Sequence, residues 1–171
     1  MFSGSARELS TARLALEPLR HDHAKEMAVV LGDTSLYEFI GDGPPTEVEL
    51  AERYRRQIAG PLDEEERWLN WIVRRSDTAE AIGYVQATVT ADRADVAWLI
   101  GVEHQRRGFA CEAGSGMVEH LSTNGVSLLI AHIAVGHTGS ERVAHRLGFE
   151  RTGSFDQDGE ELWLRSGGPA A

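Results

Sequence analysis

Cysteine occurs once in the 171 residues, at Cys111. A lone thiol excludes an intramolecular disulfide and a cysteine-rich zinc site, and it gives no reason to assign an oxidising compartment. No run approaches the ~20 apolar residues of a membrane span, and the opening MFSGSARELS lacks the apolar core of a secretory leader. The expectation is a soluble, cytoplasmic protein with no membrane partner. Positive charge is also scarce: 27 Asp and Glu face 17 Lys and Arg, for a formal net charge of −10. A nucleic-acid surface needs clustered cations to displace counterions, so that partner is not expected, and a cationic substrate is mildly favoured. Neither G-x-G-x-x-G nor G-x-x-x-x-G-K-[ST] is present, which argues against Rossmann and P-loop nucleotide binding. With no repeat, low-complexity block or compositional break, residues 1–171 read as one domain, with 1–10 and 166–171 as frayed ends.

What is present is an alternation of strand and helix signals. TARLALEPL, residues 11–19, has period-2 patterning. Ala24, Met27, Ala28 and Leu31 follow at helical spacing, with Asp22 as cap and Gly32 as stop. Thr46 and Glu49 have capping-box spacing and predict a helix over 47–59, ended by Gly60-Pro61. Strands are expected at about 67–75, 81–90 and 94–102, joined by short polar turns as an antiparallel meander. Ala110, Ala113, Gly114, Met117, Val118 and Leu121 then form an apolar helical stripe. SLLIAHIAV reads as a buried strand, SERVAHRLG as a short helix capped by Ser140, and FERTGSF with ELWLR as a last hairpin. The class is a mixed α/β sheet covered by helices.

Chemistry concentrates in HQRRGFACEAG, residues 104–114, where a strand gives way to a helix. A helix start offers amides with no intrahelical acceptor and roughly half a positive charge from the dipole. Gly108 and Ala110 allow an anion close to the main chain, and Arg106 and Arg107 can add charge-assisted hydrogen bonds, so the loop reads as a phosphate site. The plain alternative is a solvated loop.

Gln105-Arg106-Arg107-Gly108-Phe109-Ala110 resembles the Q/R-x-x-G-x-G/A pyrophosphate loop of the GNAT-fold N-acetyltransferases. TARLALEPL, AIGYVQ, AWLIGVEHQRRGFACEA and SERVAHRLGFERTG extend the resemblance over about 11–155, most closely to the ribosomal-protein N-terminal acetyltransferase (Rim) branch. The resemblance implies a mostly antiparallel sheet splayed between its fourth and fifth strands. It also implies acetyl-CoA as cosubstrate and no metal. Pantetheine would pair with main-chain groups of Ile100, Gly101 and Val102, and the phosphates would sit on Gln105, Arg106, Arg107, Gly108, Phe109, Ala110 and Cys111. The acceptor would be a primary amine, either a protein N-terminus or a small molecule. A homodimer is compatible with such folds.

The branch usually carries N-x-x-S before its short helix; here the residues are His137-Thr138-Gly139-Ser140, so His137 and Ser140 take the cofactor-contacting places. The tyrosine that serves many such enzymes as general acid falls at Ala144, leaving Ser140 or His137 to protonate the thiolate. Asp95, His132 and Glu38 are candidate bases, each with a plain structural alternative, and a water-relayed base is favoured. Cys111 has no local His partner and reads as an ordinary small residue. Trp68, Trp71 and Trp98 read as core or pocket wall, and His21 and His23 as an exposed helix start without further metal ligands. The rival reading is an acyl-CoA-binding sensor with little turnover.

Overall fold

In the computed structural model, which describes residues 5–39 and 41–166, the three strongest alternating runs form the predicted meander. They are β3 (Glu66–Arg75), β4 (Ala81–Thr90) and β5 (Arg93–Ile100). Before them come β1 (Leu9–Ser10), β2 (Leu14–Pro18), α1 (His23–Val30), a 3-10 turn at Thr34–Tyr37 and α2 (Glu47–Ala59). After them come α3 (Phe109–Thr123), β6 (Leu128–Ile133), α4 (Thr138–Arg146), β7 (Glu150–Phe155) and β8 (Glu161–Ser166). The eight strands form one sheet in the order β1-β2-β3-β4-β5-β6-β8-β7. Every pairing is antiparallel except β5 with β6.

Strand alternation divides the interior in two. Val85, Ala87, Val96 and Ile100 face a core completed by Met117 and Leu121 of α3 and by Phe149. On the opposite face, Ile72 and Leu99 pack with Met27 of α1 and with Leu50 and Tyr54 of α2. The helix α2 starts with the predicted capping box: the Glu49 amide donates to Thr46 Oγ1 at 3.2 Å, and Glu49 Oε2 accepts from the Thr46 amide at 2.7 Å.

Several expectations change. Residues 9 and 10 are not frayed, because Leu9 and Ser10 pair with Leu16 and Ala15. Ser166 is likewise paired, with Leu128; residues 1–4 and 167–171 lie outside the described residues. Asp22 sits at the α1 N-cap but makes no capping bond, its carboxylate going instead to Arg20 at 3.1 Å. His23 is buried at 1% exposure. Its Nδ1 accepts from the Arg20 amide at 3.0 Å, and its Nε2 lies 3.3 Å from Glu17. Trp71 is core, whereas Trp68 is 37% exposed.

Candidate active site

The parallel ladder between β5 and β6 runs from Arg93 opposite Leu128 to Val96 opposite Ala131 and stops. Beyond that point β5 continues to Ile100 and β6 to Ile133 without pairing, so the sheet splits as the resemblance implied. A cleft of about 1040 Å³ fills the split.

Antiparallel register decides which main-chain groups face the opening. The Gly101 amide donates to Ile82 at 2.8 Å, which makes these two a hydrogen-bonded pair. Residues 99 and 97 therefore bond to β4 as well, while the N–H groups of Trp98 and Ile100 point to the open side. Ile100 offers only its N–H, because its carbonyl accepts from Gln105 Nε2 at 2.9 Å. Of the expected contact segment Ile100 to Val102, Ile100 turns its N–H to the open side, while the Gly101 amide is engaged by Ile82. Gln105 ties the loop to the strand end.

At the mouth of the cleft, α3 starts after Gly108, which has φ +82° and no capping side chain. Arg106 also has a positive φ, +59°. Among the described residues, no backbone N–H from Arg106 to Cys111 has a hydrogen-bond partner. Such a row of unpaired donors before a helix dipole is a preformed anion seat. Arg106, Arg142 and Arg146 line the cleft, and none forms an ion pair among the described residues. Arg107 does not line the cleft. Its carbonyl accepts from Arg13 Nη1 at 3.2 Å, and Arg13 also pairs with Glu112 at 2.7 Å and lies 4.5 Å from the Phe109 ring centre. Arg13 therefore braces the loop from outside, a residue that sequence reasoning missed because 94 positions separate it from Arg107.

His137 caps α4, correcting the expectation of Ser140 as cap: its Nδ1 accepts from the Ser140 amide at 3.3 Å, and its Nε2 lies 3.4 Å from Ser140 Oγ. Burial holds the imidazole pKa below the ordinary histidine value. In the neutral ring, an accepting Nδ1 leaves the proton on Nε2, facing the serine oxygen, and frees the hydroxyl hydrogen to point into the cleft. Phe39 crosses from the segment after the 3-10 turn and stacks on His137 with ring centres 4.6 Å apart. Ala144 is fully buried, so α4 presents no phenol there.

The floor on the α1/α2 side carries Tyr84, Gln86 and Thr88 of β4 opposite Leu99, Ala97 and Asp95 of β5. His132 Nε2 meets Asp95 at 3.0 Å, and its Nδ1 meets Asp156 at 2.7 Å. Burial opposes charge on the ring, but the hydrogen bonds to the two carboxylates outweigh it and raise the pKa. With both ring nitrogens within hydrogen-bond distance of carboxylates, His132 fits the plain alternative, a tie between Asp95 and Asp156. His132, Asp156 and Glu160 cluster closely enough to suggest metal ligands, yet the histidine nitrogen nearest them is already held by Asp156. Asp95 remains half exposed at 51%, and Glu38 does not line the cleft. The β4 residues on this floor were legible in the alternation of AIGYVQATVT, which sets Tyr84, Gln86 and Thr88 opposite Val85, Ala87 and Val89.

This split sheet with an anion seat beside it defines an acyl-CoA-type transferase fold. The family model for the acetyltransferase (GNAT) domain matches residues 13–150, and the chain belongs to that family of N-acetyltransferases. It is 28% identical over 153 residues to the uncharacterized N-acetyltransferase YoaA of Bacillus subtilis (strain 168), covering 87% of this chain and 86% of that protein. Its fold is similar to RimL, a ribosomal L7/L12 α-N-protein acetyltransferase solved with coenzyme A (TM-score 0.79, 14% identity, 94% of this chain and 98% of that one). It is also similar to the aminoglycoside acetyltransferase AAC(6')-Ib solved with coenzyme A (TM-score 0.75, 18% identity, 90% and 94%). No helix among the described residues is long and apolar enough to cross a membrane.

Proposed function

We propose that this chain transfers the acetyl group of acetyl-CoA to the nitrogen of a primary amine by direct attack, with no covalent enzyme intermediate. The observation that carries the reading is the run of unpaired amides from Arg106 to Cys111, opening onto a cleft that continues between β5 and β6. In this reading the amides and Arg106 hold the diphosphate, and the Trp98 and Ile100 N–H groups meet the pantetheine arm and the thioester oxygen. Ser140 Oγ, positioned by neutral His137, gives a proton to the departing thiolate; a thiol pKa near ~8.5 means that modest help suffices.

An alkyl amine with a pKa of ~10 must lose a proton before it attacks. Asp95 lies three residues from Trp98, about 10 Å along the strand, so it serves through intervening water. The fold likeness to RimL supports a protein N-terminus as acceptor, and the carboxylates Asp95 and Glu160 on the cleft wall support a small cationic amine.

Calorimetric titration with acetyl-CoA, followed by thiol release across a panel of amines, tests the proposal. Saturable binding with acceptor-dependent release is expected. Absence of binding by folded protein removes the reading, and binding without release for any amine favours the sensor, a role that the missing phenol at Ala144 supports.

A further inference from the structure

Between the two cores, the acceptor side of the cleft holds one phenol whose hydroxyl has no assigned duty. Tyr84 lies on β4 opposite Leu99, at the level where the neighbouring residues Trp98 and Ile100 turn their N–H groups to the open seam. Its side chain is half-buried and lines the cleft, and its hydroxyl makes no hydrogen bond among the described residues. The adjacent Tyr37 is different: its hydroxyl donates to the Leu31 carbonyl at 2.9 Å. Further along the same face the polar groups recede. Asp95 is four residues from Leu99, about 13 Å along the strand, and Thr88 is level with Asp95. A nitrogen attacking a carbonyl held at Trp98 and Ile100 is therefore level with Tyr84 and about 13 Å along the strand from Asp95, the carboxylate of this floor.

We infer that the Tyr84 hydroxyl seats the acceptor nitrogen, accepting one of its N–H bonds and so aiming its lone pair at the seam. This rests on the acetyl-transfer reading given above. Burial pushes the phenol pKa up, so the group stays neutral and both donates and accepts near neutral pH, acting on orientation and leaving proton removal to other groups. Tyr84 and Gln86 also border a second, smaller cavity of about 50 Å³ between α2 and the sheet, lined further by Arg53, Gln57 and Asn70. It exceeds the space one water-sized group needs and is bordered by polar side chains, which suits a short polar substituent beside the amine. The acceptor class is thus a primary amine whose neighbouring carbon carries a small hydrogen-bonding group.

The test compares Tyr84→Phe with wild type in thiol release from acetyl-CoA, using spermidine, glucosamine and a peptide beginning with serine as acceptors. Tyr37→Phe, which loses a structural hydrogen bond of the same kind, controls for stability. Tyr84→Phe keeps the ring and its packing. The expected result is an acceptor KM raised about 5- to 30-fold in Tyr84→Phe, with acetyl-CoA affinity within about twofold of wild type and the acceptor KM unchanged in Tyr37→Phe. Glucosamine and the serine peptide are expected to outperform spermidine, which lacks the adjoining hydroxyl or carbonyl. An unchanged acceptor KM in Tyr84→Phe overturns the seat while leaving acetyl transfer intact, and spermidine as the best substrate overturns the assigned class. Wild-type protein that binds acetyl-CoA but releases no thiol with any acceptor overturns the transfer reading and this inference together.

Discussion

Arg106 and Arg107 are adjacent and chemically identical, yet only Arg106 lines the cleft, while the carbonyl of Arg107 is held by Arg13. Arg106→Ala is expected to weaken acetyl-CoA by about 1–3 kcal/mol in a calorimetric titration, as for a lost charge-assisted contact, and Arg107→Ala to leave affinity within about twofold. The reverse ranking would move the phosphates away from the cleft mouth. Ser140→Ala is expected to lower kcat about 10- to 100-fold with little change in acetyl-CoA affinity, because the Ser140 amide that His137 accepts from is retained in alanine. Equal losses in both would mark the hydroxyl as a structural group.

At this scale the sequence told only part of the story. Gly108, Ala110 and the loop were visible because the glycine and the helix start lie next to each other in the chain. Arg13, Phe39 and the second bond of His132 to Asp156 were not, since each depends on segments brought together by the sheet.

The elements around the seam are shaped by glycines at two positions. Gly83, opposite Ile100, has so close a neighbour that a Cβ would lie 2.1 Å from the Leu99 carbonyl oxygen, a backbone atom that cannot rotate away. Gly83→Ala therefore has to shift β4 or β5 at the level of the free Trp98 and Ile100 amides. A drop in melting temperature and weaker acetyl-CoA binding are both expected; normal values for each would show that the strands separate there without cost. Gly108→Ala meets little steric obstruction but must adopt φ +82°, at a cost of about 1–2 kcal/mol. Equilibrium denaturation reads that loss directly.

Element limits were highly legible where local chemistry fixes them. Helix α2 spans Glu47–Ala59 because the Thr46–Glu49 box starts it and Gly60 ends it, and β4 spans Ala81–Thr90 because polar turns flank it. The pairing of Leu9–Ser10 was not, since two residues carry no period and gain order only from β2 beside them.

Across the whole molecule, stability should respond to pH through histidines of opposite kind. Burial lowers the pKa of His23, His120 and His137 in the folded state. Between those depressed values and about 6.5, the unfolded chain binds protons that the folded chain refuses, so stability falls as pH falls through that window. His132, whose raised pKa reflects Asp156 and Asp95 overcoming burial, adds stability at low pH that is lost as pH rises through its folded-state value. Three groups against one predict a melting temperature that declines between about pH 7.5 and about pH 5.5 by scanning calorimetry. A flat or rising profile would mean that His132 outweighs the other three.

The bond from Gln105 to the Ile100 carbonyl has a further consequence. A parted sheet carries two raw borders inside the protein, and any extended segment, from a neighbouring copy or a misfolded chain, can use such a border as a template. By occupying one acceptor of that border, the glutamine interrupts the ladder an intruding strand would need, much as a bulge blunts an outer edge. Gln105→Ala protein, stored without ligand, should form aggregates sooner than wild type as followed by light scattering.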